Sequence, residues 1–155
     1  MPDSHVEEYW TVFLGTLSDN SHYQGKTYTA EPFGDNPELA NELGRLVLSG
    51  VKTGTCSALW EWEAEGNPIT EVGSISITLD GTGNPIGILE TTEVSIRRFD
   101  EVDEDFARAE GEGDLSLGHW RQAHRDFFSR VLPKFGREFS EQMPLVCERF
   151  KLIYK

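Results

Sequence analysis

The chain has 155 residues, enough for one domain with a buried core, and carries a formal net charge of −13. That balance argues against a phosphate-backbone partner, which wants a basic surface, although a local basic cleft stays compatible with it. Hydrophobic runs are short, and the N-terminal MPDSHVEEYW lacks signal-peptide character, so a cytoplasmic protein that does not span a membrane is expected.

The two cysteines, Cys56 and Cys147, lie far apart and match no metal or redox spacing. His5, His22, His119 and His124 are scattered. His119 and His124 are five apart, the wrong interval for one helix face. No metal and no cofactor are expected.

In chain order, Val6, Tyr9, Trp10, Phe13 and Leu14 recur at helical spacing and predict an amphipathic helix over residues 6–14. Residues 15–35 are polar and read as a long loop, ending in the aromatic turn Glu31-Pro32-Phe33-Gly34-Asp35. Asn36-Pro37 opens a second helix, with asparagine as cap and proline in the first turn. Leu39, Leu43, Leu46 and Val47 form its apolar stripe, and Gly50 is its stop. Thr55–Trp60 alternates weakly and reads as a strand. SISITL over 74–79, the turn Asp80-Gly81-Thr82-Gly83-Asn84-Pro85 and the run 86–96 predict a β-hairpin.

Residues 100–114 hold eight acids and one base. Asp103–Glu110 reads as a short helix, ended by Gly111-Glu112-Gly113-Asp114. Residues 116–132 predict a further helix with Leu117, Trp120, His124, Phe127, Phe128 and Val131 in its stripe, and PLVCERFKLIY over 144–154 a closing strand. Helices mixed with antiparallel-looking strands imply an α+β fold with a small, strongly curved sheet or barrel.

The run Gly50-Val51-Lys52-Thr53-Gly54-Thr55-Cys56-Ser57 places an amine and hydroxyls at a helix-to-strand junction. Amide hydrolysis needs a nucleophile and a base to take its proton. Thr55 is a candidate nucleophile and Lys52 a candidate base, provided burial lowers the lysine pKa from about 10. A lysine exposed beside a turn satisfies the same spacing. Glu110 follows Phe106 at helical spacing and offers a carboxylate partner, but it also fits a solvated acidic run. Cys56 reads better as a small buried hydrophobe than as a nucleophile. Trp60 and Trp62, two apart on a strand, would share one face and stack a base or pack the sheet. Phe33 carries the same ambiguity.

The pattern Gly50-x-Lys52-x-x-Thr55-x-Ser57, after a helix and before a strand, resembles the Gly-x-Lys-x-x-Thr-x-Arg pattern of the ASCH family. GDNPELANELGRLVLSGVKTGTCSALWEWEAEG, ILETTEVSIRRFDEV, FARAEGEGDLSLGHWR and MPLVCERFKLIY are similar to blocks of its longer bacterial members. The resemblance covers roughly residues 30–155. It implies a PUA-like β-barrel flanked by helices, a single domain over 1–155, with residues 1–30 decorating it. It also implies one of the family's activities, which include RNA binding, ribonuclease action and, in a small bacterial member, hydrolysis of N4-acetylcytidine by a Lys, a Thr and a Glu. Those three map onto Lys52, Thr55 and Glu110, the last through Ala107-Arg108-Ala109-Glu110. Ser57 stands where the pattern often has arginine, which removes a fixed cation and counts against phosphate binding. The reading that results is an amidohydrolase acting on a small modified nucleoside, an N4-acylated cytidine. Its Thr55 nucleophile is served by Lys52 as base and Glu110 as partner, with Phe33, Ser57 and Trp60 holding the substrate. The alternative is an RNA-binding module or ribonuclease, which the net charge disfavours.

Overall fold

The computed structural model describes residues 4–155. These divide into two compact units interleaved along the chain. The first takes the residues up to Gly50, Gly73–Glu90 and Lys151–Lys155; the second takes Val51–Val72 and Thr91–Phe150.

In the first unit, helix α1 (Ser4–Gly15) buries Val6, Trp10 and Phe13, three of the five apolar positions in the expected stripe. These meet Ile75, Ile77 and Ile88 in one apolar cluster, with Tyr9, Leu14 and Tyr154 at its edge. Strand β1 (Thr29–Pro32) runs parallel to β3 (Ile75–Leu79), with Thr29 opposite Ser76. The sequence reading expected only loop there. All four β1 residues are exposed, so no apolar alternation marks them; the pairing with β3 makes the strand. Helix α2 (Pro37–Leu48) begins as expected: Asn36 Oδ1 accepts the Leu39 N–H at 2.8 Å. It stops at Gly50, whose φ of 83° suits glycine. Asp80 Oδ1 accepts the Thr82 and Asn84 amides at 2.9 and 3.0 Å, which closes the hairpin from β3 into β4 (Pro85–Arg98).

In the second unit, β2 (Gly54–Ala58) lies antiparallel to β5 (Pro144–Tyr154), from Gly54 opposite Arg149 to Ala58 opposite Leu145. Strand order in the sheet is β1-β3-β4-β5-β2, with β4 and β5 contributing residues to both units. The expected strand over 55–60 ends at Ala58; α3 (Leu59–Glu65) follows directly. Trp60 and Trp62 therefore sit on a helix, where residues two apart point to different sides and do not form a common stacking face. Helix α4 (Glu104–Glu110) is capped by Asp103, whose side chain accepts the Phe106 N–H at 2.9 Å. Helix α5 (Leu117–Val131) is capped by Ser116, whose hydroxyl accepts the His119 N–H at 3.1 Å. Phe99, Phe106, Trp120, Phe128, Leu132, Met143 and Leu145 form this unit's core. The α+β class expected from the sequence is the one the chain adopts.

Gly111 fixes how the chain leaves α4. Its φ is 73°, and a Cβ there would lie 2.6 Å from the Val51 carbonyl oxygen. Gly136 has a similar φ of 70° but open space around it. Gly136→Ala should cost about 1 kcal/mol, the left-handed penalty alone. Gly111→Ala should cost about 2 kcal/mol more, because the backbone must also move. Urea unfolding of both variants measures the difference; equal costs would show that close approach does not dictate the glycine.

Candidate active site: a buried lysine–carboxylate cluster

Lys52 lies in the three-residue strap between Gly50 and β2. The strap is tied to the C-terminal end of α4: the Thr53 N–H donates to the Ala109 carbonyl at 2.7 Å. Its other side is tied to β5, where the Phe150 N–H donates to the Thr53 carbonyl at 3.0 Å. Those two bonds turn the Lys52 side chain inward, and its side chain is 1% exposed.

A buried ammonium needs acceptors for its three hydrogens. Lys52 Nζ donates to Gly54 O at 2.9 Å, Glu110 Oε1 at 2.9 Å and, at longer range, Glu110 O at 3.3 Å and Glu112 Oε2 at 3.4 Å. Glu110, the last residue of α4, is equally buried. Its second oxygen, Oε2, accepts from Trp120 Nε1 at 2.7 Å and Cys56 Sγ at 3.4 Å, and lies 2.8 Å from His124 Nε2. His124 Nδ1 lies 2.9 Å from the Trp120 carbonyl, and the imidazole stacks on the Trp120 ring at 4.3 Å between centroids. Two carboxylates, Glu110 enclosed and Glu112 partly exposed, thus face one ammonium and one imidazole.

Electrostatics reverse one expectation. Burial pulls the Lys52 pKa down, as the sequence reading supposed, but the charges of Glu110 and Glu112 and the hydrogen bond to Glu110 outweigh it, and the net direction is up. Lys52 rests as a cation rather than a poised base. Burial pushes the Glu110 carboxyl up, yet Lys52 and His124 hold it well below the usual carboxylate range. His124 is lowered by burial and raised more by Glu110, so its net direction is also up. Burial and the Glu110 charge push the Cys56 thiol well above its ordinary value.

The fold brings Lys52 and Glu110 together. Thr55 is the second residue of β2 and half-buried; its hydroxyl makes no hydrogen bond among the described residues. Alternation along β2 sends Cys56 toward Glu110 and Thr55 to the opposite face. The Ser57 hydroxyl accepts the Trp62 indole N–H at 2.8 Å. Trp60 is half-buried, with the Arg137 guanidinium 4.7 Å above its ring. Phe33 belongs to the first unit and the cluster to the second.

Sequence reasoning missed His124 and Trp120 as partners of Glu110, and Glu112 as a partner of Lys52. Their interval of four along α5 places His124 and Trp120 on one face, but the apolar stripe around them disguised that face as core. Glu112 looked like one more solvated acid, and its side chain is 22% exposed.

An α+β chain whose Gly-x-Lys-x-x-Thr strap buries its lysine against a carboxylate from a later helix is consistent with the PUA-like class. The family model described as the ASCH domain matches residues 29–154, and the chain belongs to that family. It is 35% identical to an ASCH domain from Lactobacillus crispatus JV V101, over 99% of this chain and 96% of that one, with a TM-score of 0.93. It is also 35% identical to protein EF3133 from Enterococcus faecalis V583, over 97% of this chain and 89% of that one, with a TM-score of 0.88. No curated protein matches the chain. No helix among the described residues is long and apolar enough to cross a membrane.

The His124–Glu110 pair has a pH signature. A group whose pKa is raised by folding stabilises the fold fully below its unfolded value, 6.5 for histidine, and the contribution fades as pH rises through the folded value. The urea midpoint should therefore fall as pH climbs from 6.5 toward mildly alkaline, and this step should vanish in His124→Gln. Glu110→Gln, which strands the Lys52 charge, should cost about 3–5 kcal/mol at neutral pH. An unchanged midpoint in Glu110→Gln would show that Lys52 does not depend on this carboxylate.

Proposed function

We propose that this ASCH domain is a hydrolase that cleaves the N4-acyl amide of an acylated cytidine, releasing cytidine and a carboxylate. The observation that carries the reading is the fully buried Lys52–Glu110 ion pair with the half-exposed Glu112 at its edge. A resting ammonium suits a step in which positive charge and a proton are delivered to the departing nitrogen. It does not suit a step in which the lysine first accepts a proton.

Roles follow from access. Both oxygens of Glu110 are occupied by neighbours, so Glu110 fixes Lys52 in place and balances its charge. Glu112 contacts the ammonium with one oxygen and retains solvent access, so it takes a proton from the water that attacks the amide carbonyl. The C–N bond then breaks, Lys52 protonates the leaving amino group, and the proton held by Glu112 returns to Lys52 as cytidine and the carboxylate leave. A neutral nucleoside agrees with a chain of net charge −13 better than a polyanion does. The family's association with nucleic acids and nucleosides supports a nucleoside-like ligand.

Cytidine release from N4-acetylcytidine, followed beside incubation with a generic RNA, tests the reading. Thr55→Ala should keep most of the rate, because Thr55 faces away from the cluster on β2. Glu112→Gln should lose about a hundredfold or more in turnover, the usual scale for a positioned proton-transfer group, with only a small fall in melting temperature because Glu110 still holds Lys52. RNA fragments without cytidine would overturn the substrate assignment, and background turnover by folded Thr55→Ala, with part of the rate kept by Thr55→Ser, would replace the attacking water with the Thr55 hydroxyl.

A further inference from the structure

Three donor-rich side chains that the sequence separates by as much as 68 positions meet at a single point. Cys56 Sγ, Glu110 Oε2 and His124 Nε2 all lie within 4.8 Å of one another. They arrive from three different elements, β2, α4 and α5. In the proposed hydrolysis Glu110 holds Lys52 through Oε1, and neither Cys56 nor His124 touches substrate. The thiol and the imidazole both approach the same carboxylate oxygen, at 3.4 and 2.8 Å, so all three donor atoms face one small volume.

We propose that Cys56, Glu110 and His124 form a binding site for a divalent transition-metal ion of the zinc type. One thiolate, one imidazole and one carboxylate with an open fourth position make a three-ligand set that zinc accepts. Donors around a tetrahedral zinc stand about 3.5 Å apart, given metal–ligand bonds of about 2.0–2.3 Å. The sulfur–oxygen separation of 3.4 Å already matches that spacing, the nitrogen–oxygen separation of 2.8 Å has to open by less than an ångström, and the sulfur and nitrogen, within 4.8 Å of one another, have to close by at most about 1.3 Å.

Charge balance favours the exchange despite the neighbouring Lys52 ammonium. As the ion enters, the thiol loses its proton and the imidazolium loses its own. Two protons leave and one dication takes their place, so the local net charge is unchanged. Glu110 serves both partners at once, since Oε1 holds Lys52 while Oε2 turns to the metal. Trp120 Nε1 also donates to Oε2 and orients it, the part an outer-shell donor plays in metal sites. Cys56 and His124 are each partly exposed, which leaves the ion a way in. No local Cys–His spacing announces this site; folding alone creates it.

Cobalt(II) is the probe, because a thiolate ligand gives it a near-ultraviolet charge-transfer band and tetrahedral coordination gives intense visible bands. The full-length protein is titrated with cobalt in mildly alkaline buffer, where thiol and imidazole release protons, and zinc is then added in competition. One equivalent of cobalt should produce both bands, and zinc should bleach them. Cys56→Ser should abolish the charge-transfer band, while Cys147→Ser should keep it. His124→Gln should weaken binding about tenfold or more. Circular dichroism melts of the three variants establish that each is folded. Absence of the charge-transfer band in the wild type, its survival in folded Cys56→Ser, or its loss only in Cys147→Ser would each overturn the site. None of these readouts depends on hydrolysis of any substrate, so the outcome is separate from the proposed activity.

Discussion

The burial of one ammonium group organises the second unit. Lys52 is almost entirely out of solvent, and moving a charge of that size into the interior costs several kcal/mol unless other groups replace its hydration. Everything around it answers that demand. Glu110 supplies the countercharge, Gly54 and Glu110 supply carbonyl oxygens, and Glu112 adds a second carboxylate from the solvent side. Each acceptor has to be within about 3 Å, so the strap, the end of α4 and the start of β2 are fixed with respect to one another. Gly111 follows from the same demand: the chain must turn away from Glu110 where the strap passes, and the Val51 carbonyl leaves no room for a Cβ.

Glu110 is as constrained as the lysine it neutralises. A buried carboxylate has several lone-pair sites to fill, and the hydrogen-bond donors come from Trp120 and Cys56, with His124 beside them. The helix α5 therefore does two things at once. Trp120 and Phe128 complete the apolar core, while Trp120 and His124, one turn apart, present nitrogen atoms to the carboxylate. A network with every member paired fixes a single arrangement, because losing any one partner leaves the others uncompensated in a low-dielectric setting.

Such a network also distributes chemical roles by exposure. Lys52 and Glu110 are fully enclosed, whereas Glu112, Thr55 and Cys56 are partly exposed. Ser57 accepts the indole N–H of Trp62, so this position serves the junction between β2 and α3. The Arg137 guanidinium over Trp60 likewise makes that ring part of a cation–π contact in the second unit.

The sequence by itself determined the elements whose signals are local. Asn36-Pro37 announced α2 because a cap and a first-turn proline act within four residues, and Asp80–Pro85 announced the hairpin because its turn is closed by its own side chain. The strand 144–154 and the helix α5 were legible from periodicity, and the Gly-x-Lys-x-x-Thr spacing with its companion blocks pointed to the family and to Lys52 and Glu110. β1 was hidden, since an exposed four-residue strand has no apolar rhythm and exists by pairing with β3. Trp60 and Trp62 were placed on a strand because two alternating tryptophans look the same whether a chain continues extended or turns into α3. The state of Lys52 was beyond the sequence for a physical reason: a pKa is set by the balance between burial and neighbouring charge, and Glu110 and Glu112 are 58 and 60 positions away along the chain. Only the tertiary structure brought those carboxylates, His124 and Cys56 to one point, because the distances that govern electrostatics and coordination are measured through space, and nothing in the linear order fixes them.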